Sequence, residues 1–197
     1  MTKTTIDLAP AAEFLAFHTR KGQHLLCAVS GGLDSTLCLL VAVEAFKLLK
    51  LPKSGIRVYT MPGFGTTKRT KGNSELLCEG LGLDLETIDI TMACLQHFKD
   101  IGHAEDQLDV VYENAQARER TQILMDIANA EGGLVIGTGD LSELALGFAT
   151  YNGDHMSMYS VNASIPKTLV RCLVEYEANR YGGEIGKILR DILDTPV

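Results

Sequence analysis

The sequence predicts a doubly wound α/β fold, an open parallel sheet with helices on both faces. Short apolar runs of strand length alternate with helix-length segments, and those runs are apolar on both faces. A glycine pair also joins the first such run directly to the next helix. With 197 residues, 46% of them hydrophobic and 22% charged, the chain has the makings of one sizeable core and none of the signature of disorder.

The elements follow in order. A first helix is expected over Pro10 to Lys21, with Phe14, Leu15 and Phe17 near one face and Lys21-Gly22 as the stop. Leu25 to Val29 reads as a buried strand, and the apolar run from Thr36 to Val43 belongs to a helix reaching Lys50. Gly55 to Met61 and Leu85 to Thr91 read as the second and third strands, with a helix over Gly72 to Gly82 between them. The longest helix is expected over Asp109 to Gly133, where Val110, Ala117, Ile123, Leu124 and Ile127 recur at helical spacing and a glycine pair ends the run. Leu134 to Thr138 is the next strand. The stretch from Thr150 to Pro166 is long for a connector and reads as a functional loop. Ligands of such sheets sit beyond the carboxyl ends of the strands, so the loops after Val29, Met61 and Ile136 are expected to meet.

Composition narrows the partners. A net charge of -7 opposes general nucleic-acid binding, which needs many cations to displace counterions, so no nucleic-acid partner is expected. The five cysteines form no CxxC pair, and most stand among apolar neighbours, which fits a reducing cytoplasm. No apolar signal-peptide core opens the chain and no run reaches the roughly 18 apolar residues of a membrane span, so neither secretion nor a membrane partner is expected.

The chemistry centres on Ser-Gly-Gly-Leu-Asp-Ser, residues 30–35. A strand handing over to a helix exposes unbonded N–H groups and the positive end of the helix dipole, a natural place for phosphate. This is not a Walker A loop, because no Gly-Lys-Ser/Thr ends it. Ser30, Gly31, Gly32 and Ser35 offer hydroxyls and open backbone to a pyrophosphate, and Asp34 is suited to a hard cation such as Mg²⁺. The same residues also fit a tight turn with Asp34 or Ser35 as helix N-cap. The five histidines lack metal-ligand spacing, and none is assigned a role.

The SGGLDS loop resembles the pyrophosphate loop of the ATP pyrophosphatase superfamily, which includes NAD, GMP and asparagine synthetases and tRNA-thiolating enzymes. "YTMPGFGTT", "ENAQARER", "GLVIGTGDLSELALGFATYNGD" and "VNASIPKTLVR" narrow the resemblance to the synthetase domain of glutamine-dependent NAD synthetases, from about Leu25 onward. It implies an adenine nucleotide alpha hydrolase-like fold, ATP and Mg²⁺ as cofactors, and deamido-NAD and ammonia as substrates. It also implies a glutaminase domain in the full-length chain and a homodimer across synthetase helices, the long helix through Ile127 being the natural candidate. In that family ATP adenylates the nicotinate carboxylate of deamido-NAD, and ammonia then displaces AMP. No catalytic side chain is implied.

The resemblance assigns ATP binding to Ala28, Val29, Ser30, Gly31, Gly32, Leu33, Asp34, Ser35, Met61 and Thr138, and the metal to Asp34 and Glu143. It assigns the dinucleotide substrate to Asn114, Arg118, Glu143, Phe148, Ala149, Thr150 and Tyr151. Other readings stand beside these. Asp140 and Glu143 fit a capping-box helix start, Phe148 and Tyr151 by residue type alone favour a core, and Glu119 and Arg120 fit a solvated face. Lys68, Arg69 and Lys71 are expected in a flexible loop that either closes over a ligand or is merely solvated; Lys167 resembles a position near the nucleotide but also fits a solvent-facing first-turn lysine.

Two departures from the family pattern bear on activity. Ala28 stands where the family often has glycine, and neither a glutaminase segment nor the usual C-terminal closing segment is found, so 1–197 is expected to be an excised synthetase core. Such a core is expected to bind ATP with Mg²⁺, to amidate poorly, and not to use glutamine alone as nitrogen donor. The alternatives are another ATP pyrophosphatase, of the GMP synthetase or tRNA-thiolation type, and a nonenzymatic nucleotide-binding module.

Overall fold

The computed structural model describes residues 8–19, 23–64 and 68–195. Five parallel strands form one sheet: β1 (Leu25–Ala28), β2 (Ile56–Thr60), β3 (Leu85–Thr87), β4 (Leu134–Gly137) and β5 (Tyr159–Ser160), in the order β3-β2-β1-β4-β5. The eight α-helices among the described residues are α1 (Ala9–His18), α2 (Leu33–Leu48), α3 (Lys68–Leu81), α4 (Thr91–Ile101), α5 (Val110–Glu131), α6 (Leu141–Leu146), α7 (Lys167–Tyr181) and α8 (Gly183–Leu193).

The pleat of β1 explains the double winding, because successive side chains point to opposite faces. Leu25, Cys27 and Val29 enter one core with Leu37 and Leu40 of α2, Leu77 of α3, Val174 of α7 and Leu189 of α8. Leu26 enters the other with Cys94 and Phe98 of α4 and Leu124 and Ala128 of α5. A strand buried on both sides must be apolar throughout, which is the pattern the sequence carries. From β1 the chain winds outward to β2 and β3, then returns to add β4 and β5 on the other side. The direction of winding reverses between β1 and β4, the kind of switch point at which such sheets bind ligands.

Several expectations are corrected. Helix α1 faces the core with Ala12, Leu15 and Ala16, while Phe14 and Phe17 are exposed. Its expected stop at 20–22 lies outside the described residues. Strand β3 is shorter than expected, because the chain turns at Ile88 to Ile90 into α4, a helix the sequence reading left unassigned. Ile88 and Ile90 still donate N–H groups to the carbonyls of Thr60 and Pro62, at 2.9 and 3.1 Å, beyond the end of the ladder. The helix expected from Gly72 already begins at Lys68, so 68–71 form a helix start rather than a loop; 65–67 lie outside the described residues. The long connector 150–166 contains β5, two residues too short to leave a periodic signal. The longest helix ends as expected, with Gly132 in the left-handed conformation at φ 65°.

Candidate functional site

The loops after β1, β2 and β4 do meet. They line a cavity of about 520 Å³ that takes in Ala28, Val29, Ser30, Ser35, Met61 and Thr138. A smaller cavity of about 230 Å³ adjoins it, lined by Ser30, Gly32, Asp34, Ser35, Thr138, Glu143, Phe148 and Ala149. Ser30, Ser35, Thr138 and Asp154 belong to both walls. Of the ten predicted nucleotide positions, only Gly31 and Leu33 line neither: Gly31 makes the turn at φ 79°, a backbone state that suits glycine, and Leu33 packs against the core.

The glycine loop is tied internally by its hydroxyls. Ser35 Oγ donates to the Gly32 carbonyl at 3.0 Å and accepts from Ser30 N–H at 3.3 Å, and Thr36 Oγ1 donates to the same carbonyl at 2.9 Å. Gly32 is the N-cap of α2 and makes no side-chain cap bond, so neither Asp34 nor Ser35 caps the helix as the alternative reading expected. The Asp34 carboxylate is thereby left to point elsewhere.

It points into a cluster. The Lys167 ammonium lies 2.5 Å from Asp34 Oδ2, 2.7 Å from Asp140 Oδ2 and 3.2 Å from Glu143 Oε1. Glu143 uses its two oxygens differently. Its Oε2 accepts the Asp140 N–H at 3.2 Å and Asp140 Oδ1 accepts the Glu143 N–H at 2.9 Å, completing a capping box. One oxygen of each residue orients the carboxylate, and the other faces the cation. Burial pushes the Asp34 carboxyl up to about 6 despite the ammonium beside it, with Asp140 and Glu143 adding to the rise. Burial also works against the charge of Asp140, but Lys167 and the Glu143 N–H outweigh it and hold that carboxyl below its usual range. The Lys167 ammonium loses hydration, yet the three carboxylates keep it firmly protonated, above the usual lysine range.

The donor set fits a hard divalent cation. Asp34, Asp140 and Glu143 each offer an oxygen within 4.8 Å of the others, Asp34 Oδ1 is buried without a hydrogen-bond partner, and an ammonium already stands among them. Asp140 and Lys167 complete this set, and sequence reasoning had given neither that place. Asp140 had read only as a cap, although the Asp-x-x-Glu spacing does place both carboxylates at one helix start. Asn162 was missed altogether. It is fully buried, and its Nδ2 donates to the main-chain carbonyls of Asp34 at 3.1 Å and Thr138 at 3.0 Å.

Four of the predicted dinucleotide residues form a second group, away from Glu143. Thr150 Oγ1 donates to Asn114 Oδ1 at 2.7 Å, and Arg118 Nε donates to the Tyr151 carbonyl at 3.1 Å. Helix α5 therefore holds the segment 148–151. Phe148 and Tyr151 are each 84% exposed, so the core expected from residue type is not where they lie. Asn114, Arg118, Thr150 and Tyr151 line neither cavity. Arg120, expected on a solvated face, lines the larger cavity and donates Nε to the Met61 carbonyl at 3.0 Å. Burial lowers its guanidinium below the usual arginine range.

Comparison with known proteins gives the family. A glutamine-dependent NAD(+) synthetase from Mycobacterium leprae is 44% identical over 180 residues, covering 88% of this chain and 26% of that protein. One from Thermotoga maritima is 32% identical over 166 residues, covering 83% of this chain and 28% of that protein. The chain thus spans about a quarter of the length of the curated relatives it matches. An NH3-dependent NAD synthetase from Campylobacter jejuni superposes with a TM-score of 0.77 at 26% identity, over 91% of this chain and 75% of that one. A glutamine-dependent NAD+ synthetase from Acinetobacter baumannii, solved with adenosine diphosphate, shares the fold at a TM-score of 0.79 and 24% identity, over 92% of this chain and 34% of that one. The family model for NAD synthase matches residues 14–180, and with the strand-end site just described the chain belongs to the NAD synthase family.

Proposed function

We propose that this domain carries out the ATP-dependent amidation of deamido-NAD to NAD, through an adenylated carboxylate, with release of pyrophosphate and AMP and with ammonia drawn from a glutaminase domain. The observation that carries this reading is the convergence of the glycine loop, three carboxylates and a lysine on one strand-end cavity.

The chemistry has an electrostatic obstacle. A substrate carboxylate must approach an anionic α-phosphate, and pyrophosphate must leave with its charge stabilised. A divalent cation held by Asp34, Asp140 and Glu143 supplies that stabilisation when bound. The residues of the chain do the rest. Ser30, Gly32 and Ser35 line the smaller cavity and present the start of α2 to the phosphates. Met61, Arg120 and Thr138 line the larger cavity, where the remainder of the nucleotide has room. Asn114 and Arg118 act on the dinucleotide by holding 148–151 in place. Electrostatics and positioning suffice, and no covalent enzyme intermediate is needed. The exposed Leu108, Val110 and Val111 at the start of α5 support association of two copies along that helix.

The test is calorimetric titration of this chain with an unhydrolysable ATP analogue and Mg²⁺, with and without deamido-NAD, alongside ATP–pyrophosphate exchange. Binding strengthened by deamido-NAD, lost in Asp34→Ala and Glu143→Ala, and exchange that depends on deamido-NAD are expected. Equal response to XMP, or no nucleotide binding by the wild type, overturns the reading.

A further inference from the structure

Lys167 has a feature that a simple nucleotide contact does not explain: its ammonium stands inside the carboxylate cluster. Its three carboxylate contacts run from 2.5 to 3.2 Å. Mg²⁺ binds carboxylate oxygens at about 2.0–2.1 Å. An ion bound by these same oxygens would fall within the volume of the ammonium, and two cations at that separation repel strongly. The ammonium and an ion bound through those three oxygens exclude one another.

The lysine is built to leave. Its backbone is pinned at the start of α7, where Lys167 N–H donates to Ser142 Oγ at 3.0 Å. The capping box pins Asp140 and Glu143 independently of the lysine. Between these anchors only a flexible four-carbon stem separates the ammonium from the main chain, and the side chain is 30% exposed. Asp34 and Glu143 also line the smaller cavity beside Ser30, Gly32 and Ser35, so an ammonium released from them lies next to the place proposed for the phosphates.

We propose that Lys167 is an exchangeable occupant of the cation site: it neutralises the carboxylates when no metal nucleotide is bound, and moves onto the phosphates when the metal arrives. It serves two partners in turn. Its first role keeps three crowded carboxylates together in the free protein, and its second adds a cation against the departing pyrophosphate. The assignment rests on the nucleotide reading above for its second half only, since competition with the metal requires no nucleotide.

The experiment follows Mn²⁺ binding by electron paramagnetic resonance in the wild type and in Lys167→Met, with and without a saturating unhydrolysable ATP analogue. Without nucleotide, Lys167→Met is expected to bind Mn²⁺ at least tenfold more tightly than wild type, because the competitor is gone. With the analogue, the same variant is expected to bind the Mn²⁺–analogue complex at least tenfold more weakly. Unchanged Mn²⁺ affinity in a folded Lys167→Met overturns the proposal. So does a gain that persists with the analogue, because the lysine then never reaches the phosphates. If Lys167→Met does not fold, the ¹⁵Nζ resonance of Lys167 in the wild type decides: a shift on adding Mn²⁺-free Mg²⁺ and analogue supports exchange, and an unmoved signal with the complex bound overturns it. Failure of the analogue to bind the wild type refutes the nucleotide reading, while the Mn²⁺-alone arm still judges the lysine.

Discussion

The buried side chain of Asn162 donates to the main-chain carbonyl of Asp34 across 128 residues of sequence, at 3.1 Å. Its second N–H reaches the carbonyl of Thr138 at 3.0 Å, so one amide joins the start of α2 to the end of β4. These are the two segments that carry the first and the remaining carboxylates. Asn162→Ala is therefore expected to lower stability by about 2 kcal/mol, two hydrogen bonds being lost and two carbonyls left buried. It is also expected to weaken binding of the Mg²⁺–analogue complex although the residue touches neither. Denaturant midpoints and calorimetry check the two effects, and unchanged affinity in a folded variant would show that the clamp does not position the site.

Burial of Asp34 gives a pH dependence of defined sign. The folded carboxyl keeps its proton up to about pH 6, whereas the unfolded one releases it near 3.8, so the folded state binds more protons in that window. Stability of the metal-free protein should fall as pH rises through it. Asp140, held low, acts in the opposite sense but below 3.8, where its contribution is lost as pH falls. Above pH 6 the metal-free Asp34→Asn variant should exceed the wild type by about 1 kcal/mol once solvent screening is allowed for. Thermal melts of wild type and Asp34→Asn in a chelating buffer from pH 4 to 8 test this, and a difference between them that does not change between pH 4 and 6 contradicts it.

The bond from Thr150 to Asn114 predicts a separation of the two substrates. Thr150→Val keeps the shape of the side chain but removes the donor at 2.7 Å, which loosens 148–151 from α5. Affinity for deamido-NAD should fall roughly fivefold, about 1 kcal/mol, with binding of the ATP analogue unchanged. Parallel titrations decide, and equal loss for both ligands would place Thr150 in a shared wall instead.

Two glycines give opposite stability effects. A Cβ on Gly137 would collide with the Ser157 side chain and press on Ser160 Cα at 3.3 Å, where β4 meets β5. Gly137→Ala should cost about 1–3 kcal/mol. A Cβ on Gly72, inside α3, meets nothing within 4 Å. Gly72→Ala should stabilise by about 0.5–1 kcal/mol through helix propensity. Urea unfolding of both variants measures the pair, and a neutral Gly137→Ala would mean that the β4–β5 edge yields.

Strand β1, the turn at Gly31 and the closing glycine of α5 were legible in the chain because each rests on near neighbours: pleat alternation, a residue without Cβ, a helix end. Helix α4 was missed although Cys94 and Phe98 are four apart on its buried face, because the apolar run before it reads more strongly as strand. The exposure of Phe148 was also illegible, since an aromatic residue carries no local sign of which side of it will face solvent.

Periodicity determined β1, β2, β4 and the longest helix and the expectation of a strand-end site, and the quoted motifs carried the resemblance to the family. Folding settled which oxygen of each carboxylate faces the cation, that Asp140 is one of them, and that Lys167 stands among them. The physical reason is range. Strand and helix patterns are set by residues a few positions apart, whereas the ammonium of Lys167 meets Asp34 across 133 residues, and its energy depends on distances and burial that exist once both cores have packed.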